Sequence, residues 1–290
     1  MSGSVHTNMG AMTALQNLNK TNREMDGIQS RINTGLKVAV AKDNGAIYNI
    51  AQQQRSELSA YDAVRNSLNR AKSIADVALA AGEQISDIFS QMREKAVAAS
   101  DASASATARA AYNADFIALR DQVASVIANA VFDGGNAING ATNAAFPQYS
   151  FLANSTGTLT VTLPIIDLNL VAGAGTAQAS PALDIYLGTA DVLDTAVNAA
   201  TVRDRIAASL EFVNSELARL GASAKRIENH EIFVGKLQDS IKGGIGNLVD
   251  ADLAVESARL QAAQVKQQLG TQALSIANQA PQSILSLFRQ

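Results

Sequence analysis

Residues 61–99 read YDAVRNSLNRAKSIADVALAAGEQISDIFSQMREKAVAA, and this stretch decides the fold of the chain. Small or apolar side chains recur in it at alternating spacings of three and four residues, without a break of register. The positions are Tyr61, Val64, Leu68, Ala71, Ala75, Ala78, Gly82, Ile85, Phe89, Met92, Ala96 and Ala99. The pattern predicts a coiled-coil-like seam on a helix over residues 45–100, about 80 Å long at about 1.5 Å per residue.

Similar rows of small or apolar residues on one helix face, called stripes below, occur before and after this stretch. A shorter one comes before it and ends where Asn33, Thr34 and Gly35 interrupt the period. Its members are Ala11, Ala14, Leu18, Thr21, Met25, Ile28 and Ile32. A third helix is predicted over residues 112–130, a long returning helix over 192–248, and a final helix after that. The stripe of the final helix comprises Leu253, Leu260, Ala263, Leu274 and Ala277.

The middle of the chain, residues 133–187, has a different chemistry. Glycine and proline punctuate it, and residues 149–152 and 158–163 are typical of strands around a turn at 154–157. The sequence therefore predicts a mainly α fold. The N- and C-terminal arms form a long antiparallel coiled-coil-like helical rod, and a small β-hairpin and loop module lies between them.

Composition excludes several partners. The formal net charge is −3 and the pI is about 5.4, so the chain lacks the basic surface that nucleic acids require. No run of 18 apolar residues exists, which argues against membrane insertion. Residues 1–10 lack the basic and apolar regions of a cleavable signal, so we expect any export to proceed without one.

Residues suited to catalysis or metal binding are scarce. There is no cysteine, and the two histidines are His6 and His230, the latter expected on a solvated helix face. No nucleotide-binding loop, nucleophile elbow or zinc-protease motif occurs. Gly243, Gly244 and Gly246 are expected to loosen or end a helix. The sequence therefore predicts no enzyme, no cofactor and no metal site.

The two chain ends have little apolar material to hold them folded. Ordering a residue costs about 1–2 kcal/mol, and burying a large apolar side chain returns roughly 1.5–3 kcal/mol. A self-contained helical bundle is one interpretation of these stripes. Docking against neighbouring copies would bury more faces of each end, so we favour helices that fold as the chain assembles.

Four stretches, read together, resemble bacterial flagellin. They are residues 31–37 (RINTGLK), 41–46 (AKDNGA), 246–254 (GNLVDADLA) and 277–289 (ANQAPQSILSLFR). The resemblance is to flagellins of alphaproteobacterial type, in a short form that lacks large outer domains. It implies a structural subunit of the flagellar filament, which self-assembles through its terminal helices into a hollow helical tube used for motility.

The resemblance also implies an organisation and a set of partners. Residues 1–42 with 250–290 would form the inner tube, residues 43–132 with 188–249 the helical rod, and residues 133–187 a module on the rod. The partners implied are other flagellin subunits, an export chaperone, and the cap and hook-associated proteins. The location implied is the extracellular filament, reached by flagellar type III export without a cleaved signal peptide.

Three groups of site residues follow from this reading. The expected assembly contacts are Leu18, Met25, Ile28, Ile32, Leu253, Leu260, Leu274, Ile284, Leu285 and Phe288. Candidates to face the channel are Gln264, Gln268 and Gln272, because this stretch is polar but nearly uncharged. The third group lies in residues 88–97, which resemble the helix read by the animal innate flagellin receptor.

In that receptor-like segment, Arg93 and Glu94 match the family pattern. Gln91 and Lys95 stand where the family usually has Arg and Leu. The resemblance therefore implies weak recognition by the receptor, while the same surface serves contacts along a protofilament.

Two other functions fit parts of the sequence. A hook-filament junction protein also resembles flagellin at both ends. A flagellin-like surface protein that binds polysaccharide would use the loop-rich middle, where Phe146, Tyr149 and Phe151 cluster. The ending at residues 284–289 and the compact middle favour a flagellin over the junction protein. No aromatic residue clusters in the middle beyond these three, which is thin support for a polysaccharide site.

Overall fold

The structure is a computed structural model that describes residues 8–140, 148–170 and 185–287, with side chains as far as residue 279. These residues form a mainly α fold with one small antiparallel sheet, which confirms the predicted fold class. The elements are α1 (Met9–Thr34), α2 (Gly45–Ser100), α3 (Ala106–Asn129), β1 (Gln148–Leu152), β2 (Thr160–Pro164), α4 (Ala196–Val249) and α5 (Leu253–Leu287). The chain divides into two compact units, a terminal unit (Met1–Leu58 with Asp239–Gln290) and a central unit (Ser59–Gln238).

The ends of helix α1 follow from local capping. The Asn8 side chain accepts a hydrogen bond from Ala11 N at 3.0 Å, which satisfies one free amide of the first turn. At the other end Gly35 adopts φ 71°, and its N–H donates to Arg31 O at 2.8 Å. A left-handed glycine is a common helix terminator, so the predicted interruption is found at Gly35, while Asn33 and Thr34 still belong to the helix.

Helix α2 has the predicted bounds, and its stripe faces the interior of the central unit. Every stripe position from Val64 to Ala99 is buried. The helices approach closely at Gly82, where a Cβ would lie only 2.3 Å from Leu217 Cδ2 of α4. Small residues alternate with large ones such as Phe89, and this alternation lets the helices pack closely.

The predicted hairpin is also confirmed, with β2 starting two residues later than expected. Phe151 pairs with Val161, and Gly157 takes φ 70° in the connecting turn. Phe151 and Leu163 point into the same apolar cluster that α2, α3 and α4 form. The middle segment and the helices therefore share one core.

His230 corrects one expectation from the sequence. It is half-buried, and its Nε2 lies 2.7 Å from Ala153 O beside the hairpin turn. A second tether joins the same elements, since Arg226 donates to Thr162 O at 2.6 Å. The periodicity of α4 could not reveal these bonds because the hairpin that supplies both acceptors is distant in sequence.

The glycines near the end of α4 do not end the helix, which continues past Gly243, Gly244 and Gly246 to Val249, as in the helix predicted over 192–248. Interior glycine costs a helix about 0.5–1 kcal/mol relative to alanine. Burial of Ile245 and Val249 against Val38 and Ala51 offsets that cost. These four buried residues form a small core in the terminal unit.

Candidate assembly surface

Helices α1 and α5 pair antiparallel in the terminal unit. Asn8 at the start of α1 donates to Ala277 O at 2.7 Å, and Arg31 near its end lies 3.6 Å from Glu256. Midway, Gln267 donates to Asn22 Oδ1 at 2.9 Å. Polar contacts thus occur at three levels of the pair, where shifting one helix along the other would break them.

Most of the expected assembly contacts lie on this pair. Six of them are half-buried: Leu18, Met25, Ile28, Ile32, Leu260 and Leu274. Leu18 packs beside Gly270, where an added Cβ would lie 3.3 Å from the Leu18 side chain. Leu253 is 49% exposed and stands apart from them. Ile284 and Leu285 belong to α5 but their side chains are beyond those described, and Phe288 lies outside the described residues.

The pair also contains a buried carboxylate that was not predicted from the sequence. Glu256 is only 5% exposed, and its Oε1 lies 2.6 Å from Arg259 Nη1. The other oxygen, Oε2, has no hydrogen-bond partner among the described residues. Spacing could have revealed this residue, because Glu256 precedes Leu260 by four positions and so shares its face.

Helix α5 also has an apolar face that is exposed in the described part of the chain. Val265, Leu269 and Ile276 are 54%, 60% and 63% exposed. At about 100° per residue they lie on the side of the helix turned away from Leu260 and Leu274. The complete face comprises Val255, Ala258, Ala262, Val265, Leu269, Ala273 and Ile276. Contiguous exposed apolar surface of this kind marks an interaction site.

A third face of α5 is polar and uncharged. Gln264, Gln268 and Gln272 are all exposed, and Gln261 and Gln279 lie beside them. Around the helix axis, at about 100° per residue, these glutamines lie between the exposed apolar face and the face that contacts α1. Helix α5 therefore carries three distinct surfaces.

The receptor-like segment lies on α2 in the central unit. Gln91, Arg93 and Glu94 are exposed, whereas Lys95 is half-buried and donates to Asp115 of α3 at 3.0 Å. That hydrogen bond and the charge of the carboxylate raise the pKa of Lys95 above its usual value. Lys95 therefore differs from the leucine that is usual in the family, and it also forms an ion pair with α3.

The described residues contain no group of three or more His, Cys, Asp or Glu side chains that could hold a metal ion. None of the helices among the same residues combines the length and the apolarity needed to cross a bilayer.

Comparison with known proteins identifies the family of the chain. Residues 5–143 match the bacterial flagellin N-terminal helical region, and residues 204–288 match the bacterial flagellin C-terminal helical region. Flagellin FljK of Caulobacter vibrioides is 49% identical over 99% of this chain and 98% of its own length. A flagellin of Brucella melitensis is 35% identical over 99% of both chains. Flagellin C of Rhizobium meliloti is 32% identical over 99% of both chains.

The chain belongs to the bacterial flagellin family, in the short form found among these alphaproteobacterial relatives. It is a structural subunit of the flagellar filament, and neither the junction protein nor the polysaccharide-binding protein is favoured. It polymerises with other flagellin subunits and its location is the extracellular filament. A structural family of this kind implies a protein that is not an enzyme.

Proposed function

We propose that the pair of α1 and α5 builds the innermost layer of the filament, and that each face of α5 has a separate task. One face holds α1, the exposed apolar face docks on a neighbouring copy, and the glutamine face lines a channel. The observation that carries this proposal is the exposure of Val265, Leu269 and Ile276 on a side of α5 that α1 leaves uncovered.

The proposed layers follow the predicted boundaries. Residues 1–42 with 250–290 form the inner tube, residues 43–132 with 188–249 the surrounding helical layer, and residues 133–187 the outer module. Incomplete burial within α1 supports the assignment of the inner tube, since no residue of this helix is fully buried. Its half-buried stripe gains stability when a neighbouring copy covers it.

The proposal also includes binding partners of the subunit and its route of export. An export chaperone, the cap and the hook-associated proteins bind the subunit, and the type III apparatus exports it without cleavage of a signal peptide. Mass spectrometry of filaments sheared from cells tests the last point. Recovery of peptides from residues 1–20 supports it, and a mature chain that starts later contradicts it.

The docking role of the apolar face is tested by the double variant Val265→Asn, Leu269→Asn. Each substitution puts an amide into the proposed contact, where an unpaired polar group costs about 1–3 kcal/mol. We expect the purified variant to remain soluble under conditions in which the unsubstituted chain sediments as filaments. Circular dichroism should report intact helices in the central unit.

Val197→Asn is the matched control because Val197 is an exposed valine on α4 of the central unit. It should polymerise normally. Filaments of ordinary yield from the double variant would show that this face of α5 meets no neighbour.

The channel role is tested by Gln264→Glu, Gln268→Glu, Gln272→Glu. Amides wet a channel wall without holding passing side chains, whereas carboxylates would add negative charge with every subunit. We expect short filaments on cells at normal expression, measured by electron microscopy. Filaments of normal length would place these three residues away from a channel.

A further inference from the structure

A basic groove runs along the α1–α5 pair of the terminal unit. Its volume is about 390 Å³. Arg23 and Arg31 of α1 and Arg259 and Lys266 of α5 line it, and Glu24 is the one acidic residue of the lining. The lining therefore has more positive than negative charge.

Part of this positive charge is not neutralised within the chain. Arg31 and Arg259 share the buried carboxylate of Glu256. Arg23 and Lys266 form no ion pair with any other described residue, and the Glu24 carboxylate lies 4.0 Å from Lys20, outside the groove. Two cations are thus available to a carboxylate from outside.

The groove lies at the edge of the exposed apolar face of α5. Arg259 and Lys266 are seven residues apart and share one side of the helix, between the α1 contact and the apolar face. Ala262 belongs to both the groove lining and that face. An apolar centre with a charged rim is the usual composition of a protein–protein interface.

Acidic residues that fit this groove lie in the connection between α4 and α5. Asp250 and Asp252 are exposed, and neither forms an ion pair with a described residue. Asp252 uses Oδ1 to cap α5 by accepting from Ala254 N at 2.9 Å, which leaves Oδ2 available. Both residues therefore lie at the surface of the terminal unit, with the Asp250 carboxylate packed beside Gly246.

The distance between these aspartates and the groove suits an assembly of displaced copies. Asp252 precedes Arg259 and Lys266 by about 10 and 20 Å along α5, at about 1.5 Å per residue. A second copy shifted along the helix by that distance would place its aspartates at the groove. Such a contact joins two different surfaces of identical chains, and it generates an open helical polymer when the rotation between copies does not close a ring.

We propose that the basic groove binds residues 250–252 of a second copy of this chain, fixing the axial stagger between neighbouring subunits. The inference rests on the proposed docking of the α5 apolar face, because the groove forms the rim of that contact. The apolar face supplies the attraction, and the groove determines the register.

Charge reversal and restoration test the groove in the purified full-length chain. The groove variant is Arg23→Glu, Lys266→Glu, and the segment variant is Asp250→Lys, which keeps Asp252 as the cap of α5. The combined variant carries all three changes. Critical concentrations for polymerisation are measured by sedimentation at low and high salt.

We expect each of the first two variants to raise the critical concentration about tenfold or more at low salt, because like charges then face each other. The combined variant should return to within about threefold of the unsubstituted chain, and high salt should reduce every difference. The matched control Lys20→Glu, Lys42→Glu makes the same change in net charge outside the groove and should polymerise normally.

Normal polymerisation of the groove variant overturns the inference, as does failure of the combined variant to recover. Loss of polymerisation in the matched control also overturns it, because net charge would then explain the effect. The docking proposal fails separately: if Val265→Asn, Leu269→Asn polymerises but the groove variants lose and regain assembly as described, the groove stands and the apolar contact is wrong.

Discussion

The central and terminal units use the same helical period but bury their apolar residues to very different extents. In the central unit α2, α3, α4 and the hairpin enclose one continuous core, in which Phe89 and Phe116 are completely buried. In the terminal unit the buried apolar cluster consists of Val38, Ala51, Ile245 and Val249. The long pair of α1 and α5 is mostly half-buried.

This difference in burial indicates that the central unit supplies most of the stability of the monomer, and that the terminal pair serves mainly in contacts between copies. A fully buried large side chain contributes about 1.5–3 kcal/mol, so the central unit can hold itself folded. The terminal pair has few such residues, and its polar contacts at Asn22 and Glu256 fix alignment more than they add stability. We infer that the terminal pair reaches its full stability only when neighbouring copies cover it.

The largest expected effect on stability comes from a substitution in the core of the central unit. Phe116→Ala should lower the free energy of unfolding by about 3–5 kcal/mol, because it leaves a cavity in the core. Thermal denaturation of the monomer measures the loss. Leu18→Ala on the half-buried α1 stripe should leave that transition nearly unchanged and raise the critical concentration for polymerisation instead.

Hydrogen exchange on both variants locates the change. Phe116→Ala should reduce protection in α2 and α4, and Leu18→Ala should alter protection only in filaments. The proposed difference in stability between the two units is wrong if Leu18→Ala destabilises the monomer as much as Phe116→Ala does.

A smaller effect tests how closely the helices of the central unit approach. Gly82→Ala would put a Cβ 2.3 Å from Leu217 Cδ2, so Leu217 must move. We expect a net loss of about 1–3 kcal/mol from overpacking. Chemical denaturation of the monomer gives the value.

Gly221→Ala is its control because no atom lies within 4 Å of the added Cβ. This change should stabilise the protein by about 0.5–1 kcal/mol, through helix propensity alone. Equal stabilisation by both changes would mean that α2 and α4 are not in close contact at Gly82.

Much of the fold could be predicted from the sequence because its signals are local. The seam from Val64 to Ala99 specifies α2, and Gly35 specifies the end of α1. At Gly243, Gly244 and Gly246 the sequence left open whether the glycines loosen or end the helix. The helix continues to Val249, and burial of Ile245 and Val249 is a tertiary effect that local propensity does not include.

The site was predicted less completely. The apolar stripe that includes Leu260 and Leu274 was found, but the second apolar face through Val265 and Leu269 was not. Both faces satisfy a helical period, and a period alone does not say which face the partner helix covers. Pairing with α1 settles that choice.

The sequence by itself determined the helices, the hairpin and the flagellin family, because spacing, capping residues and family motifs are all written along the chain. Only the tertiary structure decided which groups meet across long separations, such as His230 with Ala153 or Arg31 with Glu256. Such contacts depend on the relative rotation and alignment of two elements. Packing fixes both quantities, and neither is encoded in the period of a single helix.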